Sequence, residues 1–85
     1  MAKLKVSIIS QENIAYQGEA DAVFVPTQTG IIEVLPEHMQ LVSALQKGEI
    51  ILKNGSENKN FKVNSGVLEI RKNSNIIILA DIEKA

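Results

Sequence analysis

His38 is the only histidine in the chain, and it directly follows Glu37, with Glu33 close upstream. Histidine titrates near neutral pH and is a common metal ligand, so these three residues are the first place to look for chemistry. Their spacing matches no standard ligand pattern. The plainer reading makes both glutamates solvated loop residues, with His38 packing against or capping the backbone after Pro36. Nucleophilic catalysis has less support, because a serine mechanism needs a base and an orienting acid in contact with the serine. Ser43 shares the histidine's segment but shows no nucleophile turn. Ser10, Ser56, Ser65 and Ser74 stand in turn-like contexts, where a hydroxyl usually bonds to backbone. The five glycines, at 18, 30, 48, 55 and 66, are dispersed, so they form no phosphate-cradling loop. Glu12, Asp21 and Asp81 read as surface charges. With no cysteine, disulfides, thiolate nucleophiles and zinc–thiolate sites are ruled out. A non-catalytic protein with no metal and no cofactor is expected.

Composition narrows the partners. A chain of 85 residues supports one core, so a single domain over residues 1–85 is expected. The formal net charge is −1, and lysines and the arginine are scattered rather than massed in a stripe. Phe24, Phe61 and Tyr16 are isolated and there is no tryptophan, so the stacking platform of a single-strand binder is missing. Nucleic acid is not an expected partner. The N-terminus lacks the apolar block of a signal peptide. No apolar run approaches the roughly 20 residues that cross a bilayer, so direct membrane insertion is not expected either.

The elements that must position any site are strands. Leu4, Val6 and Ile8 alternate with Lys3, Lys5 and Ser7 at a period of two. A turn at Gln11–Asn13 precedes a short strand, Ile14–Gln17, closed by Gly18. Ala20–Pro26 is a further strand, ended or placed at an edge by Pro26, which cannot donate to a ladder. Thr27–Gly30 is a turn and Ile31–Leu35 a strand stopped by Pro36. Glu37–Leu45 reads as an irregular crossover into a strand. Gly48–Lys53 follows, then Asn54-Gly55 as a type I′ hairpin signal, with Ser56–Asn60 lengthening the loop. Phe61–Asn64 and Val67–Arg71 are strands separated by a break at Ser65-Gly66. After a turn at Lys72–Asn75, Ile76–Ala80 is an almost unbroken apolar strand, which predicts a central position covered on both faces. Short strands at this spacing indicate an all-β sandwich or barrel.

Between the prolines and beyond them, Pro26–Leu45 carries Ile31, Ile32, Leu35 and Met39 beside turn-forming and charged neighbours. Such residues either lid a small core or form a contact patch that a partner covers.

That segment, Gly30-Ile31-Ile32-Glu33-Val34-Leu35-Pro36-Glu37-His38-Met39-Gln40-Leu41-Val42-Ser43-Ala44-Leu45 followed by Lys47-Gly48-Glu49-Ile50, resembles the epsilon subunit of bacterial F-type ATP synthase. The family pattern is Gly-x-Leu-Gly-Ile-x-Pro-Gly-His-Ala-Pro-Leu-Leu-Thr-x-Leu before x-x-Gly. Its Ser-Gly-Gly-x-Leu-Glu-Val is echoed, one glycine short, in Ser65-Gly66-Val67-Leu68-Glu69-Ile70, and its Val-Thr-Val-Leu-Ala-Asp in Ile76-Ile77-Ile78-Leu79-Ala80-Asp81. Val6-Ser7-Ile8-Ile9-Ser10 and Gly18-Glu19-Ala20-Asp21 fall in the same order, so the likeness covers essentially the whole chain. It implies a ten-stranded β-sandwich or flattened barrel, the N-terminal domain type of that subunit. It also implies a central-stalk rotor protein that links the gamma subunit to the c-ring and helps couple proton or sodium flux to ATP synthesis. By position, Thr29, Gly30, Ile31, Ile32 and Glu33 would face the c-ring. Ser10, His38, Met39, Gln40, Leu41, Val42, Ser43 and Ile78 would lie towards gamma. The implied location is peripheral, on the cytoplasmic side of the inner membrane, with the isolated domain monomeric.

Several positions depart from the pattern. Glu33 and Glu37 stand where the family usually has glycine, and Met39-Gln40 replaces Ala-Pro. Many members continue into a regulatory C-terminal helical hairpin, whereas this chain stops at Ala85, so that domain is expected to be absent. A biotinyl or lipoyl carrier domain is the rival of another class. It needs a lysine displayed at a hairpin tip, whereas Lys84 sits beside the C-terminus and Lys53 precedes Asn54-Gly55 without the expected flanking residues. A generic β-sandwich interaction module, or an enzyme subunit with its site at His38, would share the fold.

Overall fold

The computed structural model describes residues 3–37 and 40–83. It contains eight strands: β1 (Leu4–Ile9), β2 (Ile14–Ala20), β3 (Ala22–Thr27), β4 (Gly30–Val34), β5 (Leu41–Leu45), β6 (Gly48–Asn54), β7 (Glu57–Arg71) and β8 (Asn75–Ile82). Period-two alternation sets which way each strand faces. Leu4, Val6 and Ile8 are buried, as are Val23, Val25, Ile50, Leu52, Leu68, Ile70, Ile76 and Ile78. Each such side chain removed from water contributes roughly 1.5–3 kcal/mol.

Two layers share β7. Its first half pairs with β6, which pairs with β3 and, through it, β4. Its second half pairs with β5 on one side and β8 on the other; β8 continues to β1 and β2. A single pairing, Thr27 with Leu45, joins β3 to β5 and closes the layers on one another. All ladders are antiparallel except β1–β8, which is parallel.

Several expectations need correction. Among the described residues eight strands are present rather than ten, in part because the expected break at Ser65-Gly66 does not separate two strands. β7 runs through it for 15 residues, with a register shift against β8 between Val63 and Ser65. Asn54 pairs with Glu57, so the β6–β7 loop is only Gly55-Ser56 and Glu57–Asn60 belongs to the ladder. Gly55 alone takes positive φ there, at 66°, as in a turn whose first central residue is glycine. Gly18 does not end its strand, since β2 continues to Ala20. Ile76–Ala80 is central in its layer but covered on one face only, because Leu79 is 51% exposed.

The two glutamates at family glycine positions behave differently. Glu37 has φ 67°, whereas Glu33 is absent from the positive-φ residues. Glu37 is held there by its own N–H donating to Ser74 Oγ at 2.9 Å, while the Ser74 carbonyl accepts from Lys5 N at 2.9 Å. A left-handed conformation costs a side-chain-bearing residue roughly 1–2 kcal/mol, and glycine's extra freedom in the unfolded chain returns about 0.4–1 of that. Glu37→Gly is therefore expected to stabilise the domain by about 0.5 kcal/mol, raising Tm by roughly 2–4 °C. A drop in Tm on thermal unfolding would contradict the strain.

The corner between β2 and β3 is stapled to the β6–β7 hairpin. Gly55 N donates to Asp21 Oδ2 at 2.7 Å and Asp21 N to the Lys53 carbonyl at 2.7 Å. Lys3 Nζ lies 3.4 Å from Asp21 Oδ1 and donates to Asn54 Oδ1 at 2.6 Å. The Gly55 amide, with help from Lys3, holds the Asp21 carboxyl below its ordinary value of 3.8. A depressed carboxyl stabilises the fold above its unfolded pKa and loses that contribution as pH falls through the folded one. Asp21→Asn should thus be less stable than the natural chain near neutrality, and the gap should close on acidification below about pH 4. Parallel denaturation curves across that range, with a constant gap, would refute the assignment.

Candidate interaction surface

The outward residues of β5, β7, β8, β1 and β2 form cross-strand rows fixed by register. One row runs Ala44, Val67, Leu79, Ile9 and Ile14; the next runs Val42, Glu69, Ile77, Ser7 and Gln17; a third runs Arg71, Asn75, Lys5 and Glu19. The first is apolar throughout, the second mixed, the third polar. Directly opposed side chains on one face lie about 4.5–5.5 Å apart at Cβ, and five strands at about 4.8 Å spacing give the apolar row a span of roughly 19 Å. Ile14 is 58% exposed, Val42 67%, and Val67 and Leu79 are also exposed. An apolar band of this length on one sheet face, with a register shift between Ile8 and Ile9 where β1 meets β2 and graded into a polar margin, has the make-up of a protein-contact surface.

At the band's β1 end the chain turns through Ser10. Its Oγ donates to the Asn13 carbonyl at 3.0 Å, and its N–H bonds to the same carbonyl at 2.9 Å, which fixes the turn. Ile9, Ser10, Gln11, Ser65, Gly66 and Leu79 help line an adjoining open depression of about 330 Å³. At the polar end Arg71 Nε donates to Glu69 Oε1 at 2.6 Å.

A second projection is the β3–β4 hairpin. The buried Thr27 hydroxyl donates to the Gly30 carbonyl at 2.6 Å and lies 3.1 Å from Thr29 Oγ1, so the turn carries its own internal brace. Gln28 N to the Ala44 carbonyl, and Gln46 N to the Pro26 carbonyl at 3.0 Å, tie the hairpin's root to the end of β5. On β4, Ile31 and Glu33 point outward, Ile31 with 74% exposure, while Val34 is buried and Ile32 packs against the core.

Of the residues expected towards gamma, Ser10 borders the apolar band and Val42 lies on the outward face beside it. Leu41 and Ser43 sit opposite the buried Ile70 and Leu68 and so share the inward parity of β5; Ser43 is half-buried, while Leu41, at the start of the strand, is exposed. Gln40 is exposed just before β5. Ile78 must be corrected: its side chain is wholly buried, and the residues that β8 turns outward are Ile77 and Leu79. His38 and Met39 lie outside the described residues, as does Lys84. Of the residues expected towards the c-ring, Thr29, Ile31 and Glu33 are displayed; Gly30 and Ile32 are half-buried. Lys53, considered for a carrier role, is not held out for attachment: its ammonium lies 5.0 Å from the centre of the Phe24 ring. Among the described residues no group of three His, Cys, Asp or Glu side chains is placed to hold a metal.

Sequence reading passed over Ile9, Ile14, Ala44, Val67 and Leu79. The signal for them is the unbroken apolar run of β8, which by sequence predicts double burial. A run of this kind also arises when one face is core and the other is apolar but open.

Known proteins match throughout. The family model of the ATP synthase delta/epsilon chain β-sandwich domain matches residues 3–85. The ATP synthase epsilon chain of Leptospira interrogans serovar Lai is 44% identical over 79 residues, covering 93% of this chain and 61% of that relative. The epsilon chain of Hydrogenovibrio crunogenus is 40% identical, covering 92% and 54%. The chain therefore spans only part of the length of these curated relatives. A chain in the OSCP/F1/c-ring structure of Euglena gracilis mitochondrial ATP synthase superposes with a TM-score of 0.88 at 18% identity, covering 94% of this chain and 51% of that one. One in the central stalk/c-ring structure of Tetrahymena thermophila mitochondrial ATP synthase gives 0.77 at 15%, covering 93% and 63%. The structural likeness speaks for the fold, and the match of the family model across nearly every residue goes further: the chain belongs to the β-sandwich family of the ATP synthase delta and epsilon chains.

Proposed function

We propose that this domain is a non-catalytic rotor element of an F-type ATP synthase, seated between the gamma subunit and the c-ring and helping to transmit ion-driven rotation to the catalytic head. Family membership supports the assignment to that complex. The observation that carries the role is the apolar band Ala44–Val67–Leu79–Ile9–Ile14 on a five-stranded face, which suits cover by a partner. Gamma is assigned to this band, because Ser10 and Val42 border it. The braced β3–β4 hairpin, with Ile31 and Glu33 outermost, is assigned to the polar loops of the c-ring. A hairpin stiffened at both tip and root suits torque transmission better than a mobile loop would. The domain then reaches the cytoplasmic face of the membrane through its partners. Among the described residues no helix is long and apolar enough to cross a bilayer.

The test is co-purification with the gamma subunit and c-ring of the same organism. Stable association of the natural chain is expected. Ile31→Lys should loosen the c-ring while leaving the pair with gamma intact. Absence of any association by the natural chain would overturn the reading.

A further inference from the structure

Asn54-Gly55 is the only Asn-Gly pair in the chain, and it stands at the mouth of the β6–β7 hairpin. Asn-Gly is the dipeptide most prone to spontaneous deamidation, since glycine leaves the following nitrogen unhindered. In that reaction the Gly55 nitrogen attacks Asn54 Cγ. A C–N bond forms, the Cγ–Nδ2 bond breaks, and ammonia departs with the proton that Gly55 N gives up. Water then opens the cyclic imide at either carbonyl, leaving aspartate or isoaspartate at position 54. No oxidant or reductant takes part.

Each reacting group of this pair is held in a hydrogen bond. The Gly55 N–H that must lose its proton donates at 2.7 Å to the anionic Asp21 carboxylate, and a neighbouring anion disfavours the deprotonated amide. The amide oxygen of Asn54 accepts from Lys3 Nζ at 2.6 Å, and its Nδ2 donates to the Glu19 carbonyl at 3.3 Å. Asn54 is also the last paired residue of β6, opposite Glu57, so its backbone is fixed in an extended ladder. Asp21 itself is held by its own N–H on the Lys53 carbonyl.

We propose that Asn54-Gly55 is a latent modification site, held shut by the Asp21 carboxylate and opened when the corner between β2 and β3 lets go. Isoaspartate there would add a backbone carbon to the chain and displace the Asn54–Glu57 pairing. It would also present the carboxyl group that isoaspartyl-methylating repair enzymes recognise. Loss of that charge-assisted hydrogen bond should speed deamidation roughly tenfold or more.

The experiment is prolonged incubation of the folded chain at neutral pH and physiological temperature, with peptide mapping for aspartate and isoaspartate at position 54. Asp21→Ala should accumulate both products roughly tenfold faster than the natural chain. Asp21→Asn keeps an acceptor oxygen without the charge and should fall between them. An Asp21→Ala rate equal to that of the natural chain overturns the proposal. If hydrogen exchange shows that Asp21→Ala has opened the whole hairpin, Asp21→Asn decides, and a rate equal to that of the natural chain overturns it.

Discussion

Gly66→Ala is expected to lower the melting temperature by roughly 12–24 °C, a loss of about 3 kcal/mol in a domain of this size. A Cβ at position 66 would overlap the Leu79 carbonyl oxygen and lie 2.8 Å from Ala80 Cα and 3.0 Å from Ala80 Cβ. Two of these are backbone atoms of a central strand, so no side-chain rotation relieves the overlap. Gly66 pairs with Leu45 on one side and Ala80 on the other, just beyond the register shift in the strand common to both layers. Crossing from one layer to the other brings β7 and β8 closer there than a side chain allows. Gly30 supplies the control. It has φ 128° but nothing within 4 Å of its would-be Cβ, so Gly30→Ala meets backbone strain alone and should cost about 1 kcal/mol. Thermal unfolding of the two variants measures the difference. Equal losses would show that the close approach at Gly66 is not what requires glycine.

Leu79→Lys should leave the isolated domain folded, within about 1 kcal/mol of the natural chain, while weakening its attachment to gamma at least about 30-fold. Leu79 is the middle residue of the apolar band, flanked in register by Val67 and Ile9. Contacts near an interface centre, sealed from water by their neighbours, commonly cost 2 kcal/mol or more when lost. An ammonium placed there must also be desolvated. Lys5→Ala, on the polar third row, should shift affinity far less, since rim charges contribute little. Titration of labelled domain with gamma, reading affinity beside a melting curve for each variant, separates a binding defect from a folding one. Unchanged affinity for Leu79→Lys in a folded protein would remove the band as the gamma surface and with it the main support for the proposed orientation.

Much of this domain was legible in the sequence because strand alternation is a local property. Leu4, Val6 and Ile8 face inward for the same reason that Lys5 and Ser7 do not. The turn after Arg71 follows from asparagine and serine chemistry acting over a few residues. Family resemblance came the same way, from ordered short motifs. It even marked Glu37 as a departure from glycine, and the backbone there has φ 67°.

Three features depended on tertiary structure. Ser65-Gly66 reads locally as a break; whether a glycine ends a strand or lets another strand approach is set by what lies opposite, here the Leu79–Ala80 backbone. Asn54-Gly55 reads as the centre of a turn, but the ladder to Glu57 and the Asp21 staple move the loop one residue along. The largest gap concerned the surface. Ile76–Ala80 is apolar on both parities, and residue order alone establishes no more than that. Which parity meets the core depends on the partner strands and on how the two layers close at Thr27 and Leu45. That closure buries Ile76 and Ile78, and leaves Leu79 outward beside Val67 and Ile9. The residues that could do chemistry, His38 with its neighbouring glutamates, were conspicuous by type. The band that does the proposed work is made of ordinary aliphatic residues drawn from five strands, and no local pattern joins residues that become neighbours only when the sheet forms.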